Sequence, residues 1–146
     1  MWGRVQTGIV GCASVDEYAS GAIKKHELTR REKELDRIEH FDACSAQTEP
    51  VFLAYRKHEG LSAIIREWIK FHKPEYDFTT EDGVTHILWP VSEPGTVEDI
   101  RKSFEEVDAL YIADGHHRTA SSAAVSARRR QKHPDSVSYT HLRAHE

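Results

Sequence analysis

The sequence predicts an α+β protein, a mixed sheet with packed helices, and three observations carry that expectation. Short β-prone runs mix with helical patterns, but not in the strict alternation of a doubly wound sheet. An apolar stripe at helical spacing runs through "GLSAIIREWIKFH" (60–72). Finally, "LYIADGHHRTASSAAVSARRR" (110–130) passes from an apolar run through a tight turn into a small-residue helix. The 146 residues have the length of one domain, and 38% hydrophobic with 30% charged residues suits a globular chain.

"RVQTGIVGCASV" (4–15) alternates and is rich in Val, Ile and Thr, so it reads as a strand. "DEYASG" (16–21) reads as a turn, and "AIKKHE" (22–27) as a short strand leading to a loop. Thr29 opens "TRRE", a capping box in which Glu32 reaches back to the helix start. Leu35, Ile38 and Phe41, with Leu28, give that helix its apolar side. "VFLAYR" (51–56) is a compact strand. In 60–72, Leu61, Ile64, Ile65, Trp68 and Ile69 fall at i, i+3, i+4, i+7 and i+8, one continuous helical face. "YDFTTEDGVTHILWPV" (76–91) sets an Asp-Gly turn between two β-prone runs, a hairpin signal. Thr96 with Asp99 caps the helix "VEDIRKSFEEV" (97–107), whose Val97, Ile100 and Phe104 face inward. "ALYIA" (109–113) reads as a buried strand, and in the helix beyond the turn Ala120, Ala123, Ala124 and Ala127 allow close packing on the sheet.

Composition narrows the partners. No apolar run approaches the ~20 residues that span a bilayer, and "MWGRVQTGIVG" lacks the basic-then-apolar order of a secretion signal. A formal net charge of −4 gives no reason to expect nucleic acid. Arg128, Arg129 and Arg130 read as a solvated helix end favoured by the macrodipole. Cys12 and Cys44 make neither a CxxC nor a disulfide framework, so buried reduced thiols and a cytoplasmic location are expected. "SVSYTHLRAHE" (136–146) continues no periodic pattern, and "VSYTHLRAHE" resembles translated sequencing-adapter read-through. The expected division is an incomplete nucleotide-binding-like domain over 1–135, cut from a longer protein, and a non-native tail over 136–146.

The turn Asp114-Gly115-His116-His117-Arg118 carries the chemistry. A helix N-terminus offers unpaired N–H groups and the positive end of a dipole, hence an anion site. Gly115 permits a sharp turn and close approach, and Arg118 adds a bidentate donor for phosphate oxygens. Asp114 would repel an anion. It makes sense as an N-cap, as a carboxylate holding Mg²⁺ against phosphates, or as an acid-base group. The bland alternative is that Asp114 only caps the helix, with the histidines and arginine exposed beside it. In a metal site, His26, Glu27 and His40 would supply further ligands, but no HExxH or CxxC spacing is present. Adjacent helical histidines also project about 100° apart, which disfavours joint chelation. Most of "KKHELTRREKELDRIEH" (24–40) reads as a charged, solvated face, whereas Glu27 sits in a loop and could act as a general base if the fold brings it to the turn.

"YIADGHHRTASS" resembles the second conserved box of the ParB/sulfiredoxin superfamily, a strand-turn-helix that grips nucleotide phosphates. Its Asp-Gly-His-His-Arg core is most similar to the free serine kinases, which phosphorylate L-serine from ATP or ADP. A longer likeness, from "GRVQTGIVG" through "KKHELTR", "AQTEPVFLAYR" and "DGHHRTAS", resembles a bacterial family called domain of unknown function 1015. The resemblance implies Gly115, His116, His117 and Arg118 on phosphates, Asp114 near Mg²⁺ or the reacting hydroxyl, and Glu27 as the acid that activates the serine hydroxyl. His116 stands where sulfiredoxins carry a reactive cysteine, so sulfinic-acid repair is not implied. The Gly-Glu-Arg-Arg turn and helix-turn-helix domain of chromosome-partitioning ParB proteins are missing too. The activity expected of the longer parent protein is nucleotide-dependent phosphoryl transfer to a small hydroxyl compound such as L-serine, without nucleic-acid or membrane partners, and the fragment alone is expected to be inactive. A nucleotide-binding regulatory module and a metal-assisted hydrolase are the alternatives.

Overall fold

The computed structural model describes residues 3–134 and 141–142. In chain order the elements are β1 (Ala13–Ser14), α1 (Val15–Ser20), β2 (Ile23–Lys24), α2 (Arg31–Cys44), β3 (Phe52–Ala54) and α3 (Glu59–Phe71). Then follow β4 (Tyr76–Thr79), β5 (Thr85–Leu88), α4 (Pro94–Glu105), β6 (Leu110–Asp114), α5 (His116–Lys132) and β7 (His141–Leu142). Parallel and antiparallel pairs occur in one sheet, and helices pack beside it, so the protein is α+β. It divides into two compact units, one of Met1–Ala54 with Ala109–Glu146, the other of Tyr55–Asp108.

In the first unit, β6 is the central strand of a sheet ordered β2-β6-β3. Ile23 and Lys24 pair in parallel with Leu110 and Tyr111, while Leu53 and Ala54 run antiparallel against Ile112 and Tyr111. Ile23 and Ile112 are buried on the covered face, and Tyr111 is exposed. The strand expected to be wholly buried is therefore one-sided, as alternation of side chains across a sheet requires.

The expected strand over 4–15 shrinks to Ala13–Ser14, paired antiparallel with His141–Leu142, and 3–12 has no regular structure. Alternation makes a strand only where a partner edge exists. The remainder of the expected tail lies outside the described residues. The expected turn at 16–21 is instead largely helix α1, because Ser14 accepts the Asp16 N–H (3.2 Å) and Asp16 and Glu17 sit at the positive dipole end. Gly21, at φ 82°, closes it.

Helices α2 and α5 form the core, with Ile38 and Phe41 against Val125 and Ala124. Leu28 is 96% exposed and Leu35 is exposed as well, so α2 has a narrower apolar side than expected. On α5 the tightest positions are Thr119, Ser121 and Ser126 rather than the alanines, and the helix packs chiefly on α2. Small hydroxyl side chains allow close approach and find carbonyl acceptors: Thr119 Oγ1 donates within the helix to Gly115 O (3.0 Å), and Ser121 Oγ across to Glu34 O on α2 (3.3 Å). The expected solvated arginine cluster is mostly engaged. Arg130 grips the Asp16 carboxylate (2.6 and 3.1 Å), and Arg129 donates to Asp42 Oδ1 (2.8 Å), Asp42 O (2.9 Å) and Ser45 Oγ (3.1 Å). Cys12 and Cys44 are exposed, not buried. Cys12 lies in the irregular N-terminal stretch, and Cys44 ends α2 on its outer side, beside His40 (4.0 Å).

In the second unit the stripe on α3 buries Leu61 and Trp68, and His58 caps the helix by accepting the Leu61 N–H at Nδ1 (3.1 Å). The hairpin β4–β5 turns at Asp82-Gly83, with Thr80 and Asp82 closing the loop. Helix α4 begins at Pro94 rather than Val97, since proline at the first helical position loses no hydrogen bond. Thr96 thus lies inside the helix, its hydroxyl on Glu93 (3.3 Å), and the expected Thr96–Asp99 cap does not form. Val97 is exposed, while Phe104 meets the Tyr55 ring edge-on at 5.3 Å. Burial there pushes the Tyr55 hydroxyl up from its ordinary pKa.

Hydrogen bonding from Arg129 holds the Asp42 carboxyl below its ordinary pKa. A depressed carboxylate stabilises the fold above the unfolded value of about 3.9 and loses that contribution as pH falls through its folded value. Asp42 is 41% exposed, so solvent screening keeps the effect to about 1 kcal/mol or less. Asp42→Asn is expected to be slightly less stable than the parent at neutral pH, with the gap closing below about pH 4. Urea unfolding across that pH range checks it; a gap that widens in acid contradicts the assignment.

Candidate functional site

Parallel neighbours end at the same edge of a sheet. The loop that follows β2 therefore reaches the turn that follows β6, although the two are far apart in sequence. His26 and Glu27 come from the first, and Gly115, His116, His117 and Arg118 from the second.

Gly115 makes the turn possible. It sits at φ 95°, a left-handed conformation costly for other residues. A Cβ there would also lie 3.0 Å from Arg118 Nε and 3.1 Å from Val51 Cγ1. Gly115 itself is the N-cap of α5, so Asp114 does not cap the helix with its side chain. The first intrahelical bond runs from the Thr119 N–H to Gly115 O (2.9 Å), leaving the amides of His116, His117 and Arg118 without intrahelical acceptors.

Arg118 is 16% exposed and already engaged. It donates to the Pro50 carbonyl (2.7 Å), to Glu49 Oε2 (3.2 Å) and to the Asp114 carboxylate. Asp114 itself is 73% exposed. This clamp fastens the segment before β3 to the turn.

The two histidines part company, as helical geometry demands. His117 Nε2 accepts the N–H of Arg30 (3.1 Å), the residue that caps α2. In a capping box that amide is met by a carboxylate within the same helix. Here the acceptor comes from α5, and the expected Thr29–Glu32 box is not formed, because Thr29 turns its hydroxyl to Glu34. His116 points the other way and is 7% exposed. Its ring stands edge-on to His26 at 4.4 Å between centroids, and its Nδ1 lies 3.7 Å from Glu27 Oε2. Nε2 is buried without a hydrogen-bond partner among the described residues. His40 is not in this group; it lies beside Cys44.

A cleft of about 190 Å³ opens between these parts, lined by Glu27, Lys33, Arg37 and Asp114 through Arg118. Lys33 and Arg37, expected on a charged, solvated helix face, line this cleft. Their i, i+4 spacing put both on one side of α2, and nothing in the sequence said which side faced the turn. Arg37 stands 3.8 Å from Glu49. The cleft thus holds two carboxylates, three cations and an uncapped helix start, a composition suited to an anion together with a cation.

These features define an α+β protein with a polar strand-turn-helix site at the end of two parallel strands. The family described as "Protein of unknown function (DUF1015)" matches residues 1–143, and the chain belongs to that family. No curated protein and no solved structure matches it. Among the described residues no helix is long and apolar enough to cross a membrane.

Gly115→Ala is expected to cost about 1–2 kcal/mol for the left-handed backbone alone. The crowding against Arg118 and Val51 adds to it. Thermal unfolding measures this, and a variant as stable as the parent would show that the turn relaxes to another conformation.

Proposed function

We propose that the protein is a nucleotide-dependent phosphotransferase acting on a small hydroxyl compound such as free L-serine, with ATP or ADP as donor and Mg²⁺ as cofactor. The observation that carries this reading is that Glu27 and the Asp114–Arg118 turn line one cleft. At about 190 Å³ the cleft is smaller than the ~300–1,000 Å³ of a site that encloses a whole ligand. It fits the phosphate end of a nucleotide, with the base outside.

Phosphoryl transfer asks a protein mainly for positioning and charge neutralisation. The free amides of the first turn, with Lys33 and Arg37, provide for phosphate oxygens. Asp114 and Glu27 are hard oxygen donors of the kind Mg²⁺ takes, and Asp114 is the better placed to hold it because Glu27 is needed as a base. When bound, Mg²⁺ would supply neutralisation of the phosphate charge. Arg118 reaches a phosphate oxygen by exchanging its Asp114 partner, which couples the arrival of phosphate to the release of that carboxylate. Glu27, 62% exposed at the cleft, accepts the proton of the acceptor hydroxyl. A cytoplasmic location goes with this reading, as does the absence of nucleic-acid and membrane partners.

In the intact parent protein, Glu27→Gln is expected to keep nucleotide affinity and lower turnover by about 10²–10⁴. Calorimetry with ATP or ADP and an assay for phosphorylated serine read the two effects separately. Full turnover in the variant would remove Glu27 from the chemistry, and saturable nucleotide binding with no acceptor-dependent consumption would make the protein a sensor. Arg37→Ala is expected to weaken nucleotide binding by about one to two decades, since a charge-assisted contact is worth about 1.5–3 kcal/mol. Unchanged affinity would take Arg37 out of the phosphate site.

A further inference from the structure

Two residues of the cleft wall, Glu27 and His116, also meet His26, a side chain that phosphoryl transfer does not use. His26, Glu27 and His116 each present one donor atom, and the three atoms lie within 4.8 Å of one another. His116 is buried at the start of α5, whereas His26 and Glu27 are exposed. The Nε2 of His116 has no partner among the described residues, and its Nδ1 faces a carboxylate beyond hydrogen-bond range. If Nε2 carries the proton, the Nδ1 lone pair points at an anion, an arrangement that a cation between them would relieve.

We propose that His26, Glu27 and His116 form a binding site for a divalent transition metal of the zinc class. Two imidazoles and a carboxylate make a borderline donor set that suits Zn²⁺ or Co²⁺ and not Mg²⁺, which prefers oxygen throughout. Donors about 2.0–2.1 Å from a tetrahedral zinc stand about 3.3 Å from one another. Closing the remaining gap asks for rotation of the exposed His26 and Glu27 side chains towards the buried His116. Three protein donors leave a fourth position open towards the cleft. Metal bound here takes Glu27 out of its role as proton acceptor, so zinc and phosphoryl transfer compete for the same carboxylate. The metal site itself does not rest on the kinase reading.

The test reads binding and not turnover, which keeps the two proposals separable. Co²⁺ is titrated into metal-free protein and followed by its visible d–d bands, and Zn²⁺ by displacement of Co²⁺ and by calorimetry. One equivalent is expected to bind, with Mg²⁺ unable to displace it. His26→Ala and Glu27→Gln each change an exposed side chain, and are expected to lower Zn²⁺ affinity by about tenfold or more. Even an outer partner of a metal ligand is worth ~10–100-fold. His40→Ala is expected to bind as the parent does, and circular dichroism confirms that each variant is folded. Absence of Co²⁺ and Zn²⁺ binding by the parent, or a loss below tenfold in both variants, overturns the site.

Discussion

The parallel pairing of Ile23–Lys24 with Leu110–Tyr111 is the contact on which the site depends. It is short, and its hydrogen bonds alone would not hold it. What secures it is burial of Ile23 and Ile112 on one face of the sheet and the α2–α5 contact beside it. Given that pairing, the ends of both strands emerge together, which brings Glu27 to the turn beside His116. The clamp from Arg118 to Pro50 and Glu49 then fixes the third strand's approach.

Some side chains around the cleft are tied into the fold and others line it. Arg118 and His117 are tied to distant backbone, at Pro50 and at the start of α2. Glu27, Asp114, Lys33 and Arg37 line the cleft. The turn motif thus both ties its surroundings together and lines the cleft, so substitutions at His117 or Arg118 alter the shape of the cleft along with its charge.

Much of the fold was legible because its signals are local. The stripe on α3 and the Asp-Gly hairpin follow from periodicity and turn chemistry within a few residues. The misreadings came where a distant partner decides the outcome. "RVQTGIVGC" alternates like a strand but meets no edge until Ala13. Thr29 and Glu32 have the spacing of a capping box, yet the α2 cap is completed by His117 from α5. For the site, the turn residues were visible as a motif and Glu27 as an acid in a loop. Lys33 and Arg37 were hidden because their place in the cleft depends on which way α2 faces, and no local pattern encodes that.

The order of the elements has a consequence for synthesis. Ile38 and Phe41 on α2 are covered by Val125 on α5, and residues 55–108 separate the two parts of their unit. At the ~5–20 residues per second of translation, that apolar face waits on the order of ten seconds for its cover. The first part of the unit leaves the ribosome with an incomplete core, while Tyr55–Asp108 can begin folding on its own contacts in the meantime. A factor that shelters exposed apolar surface during that interval would act on α2 before the site exists at all.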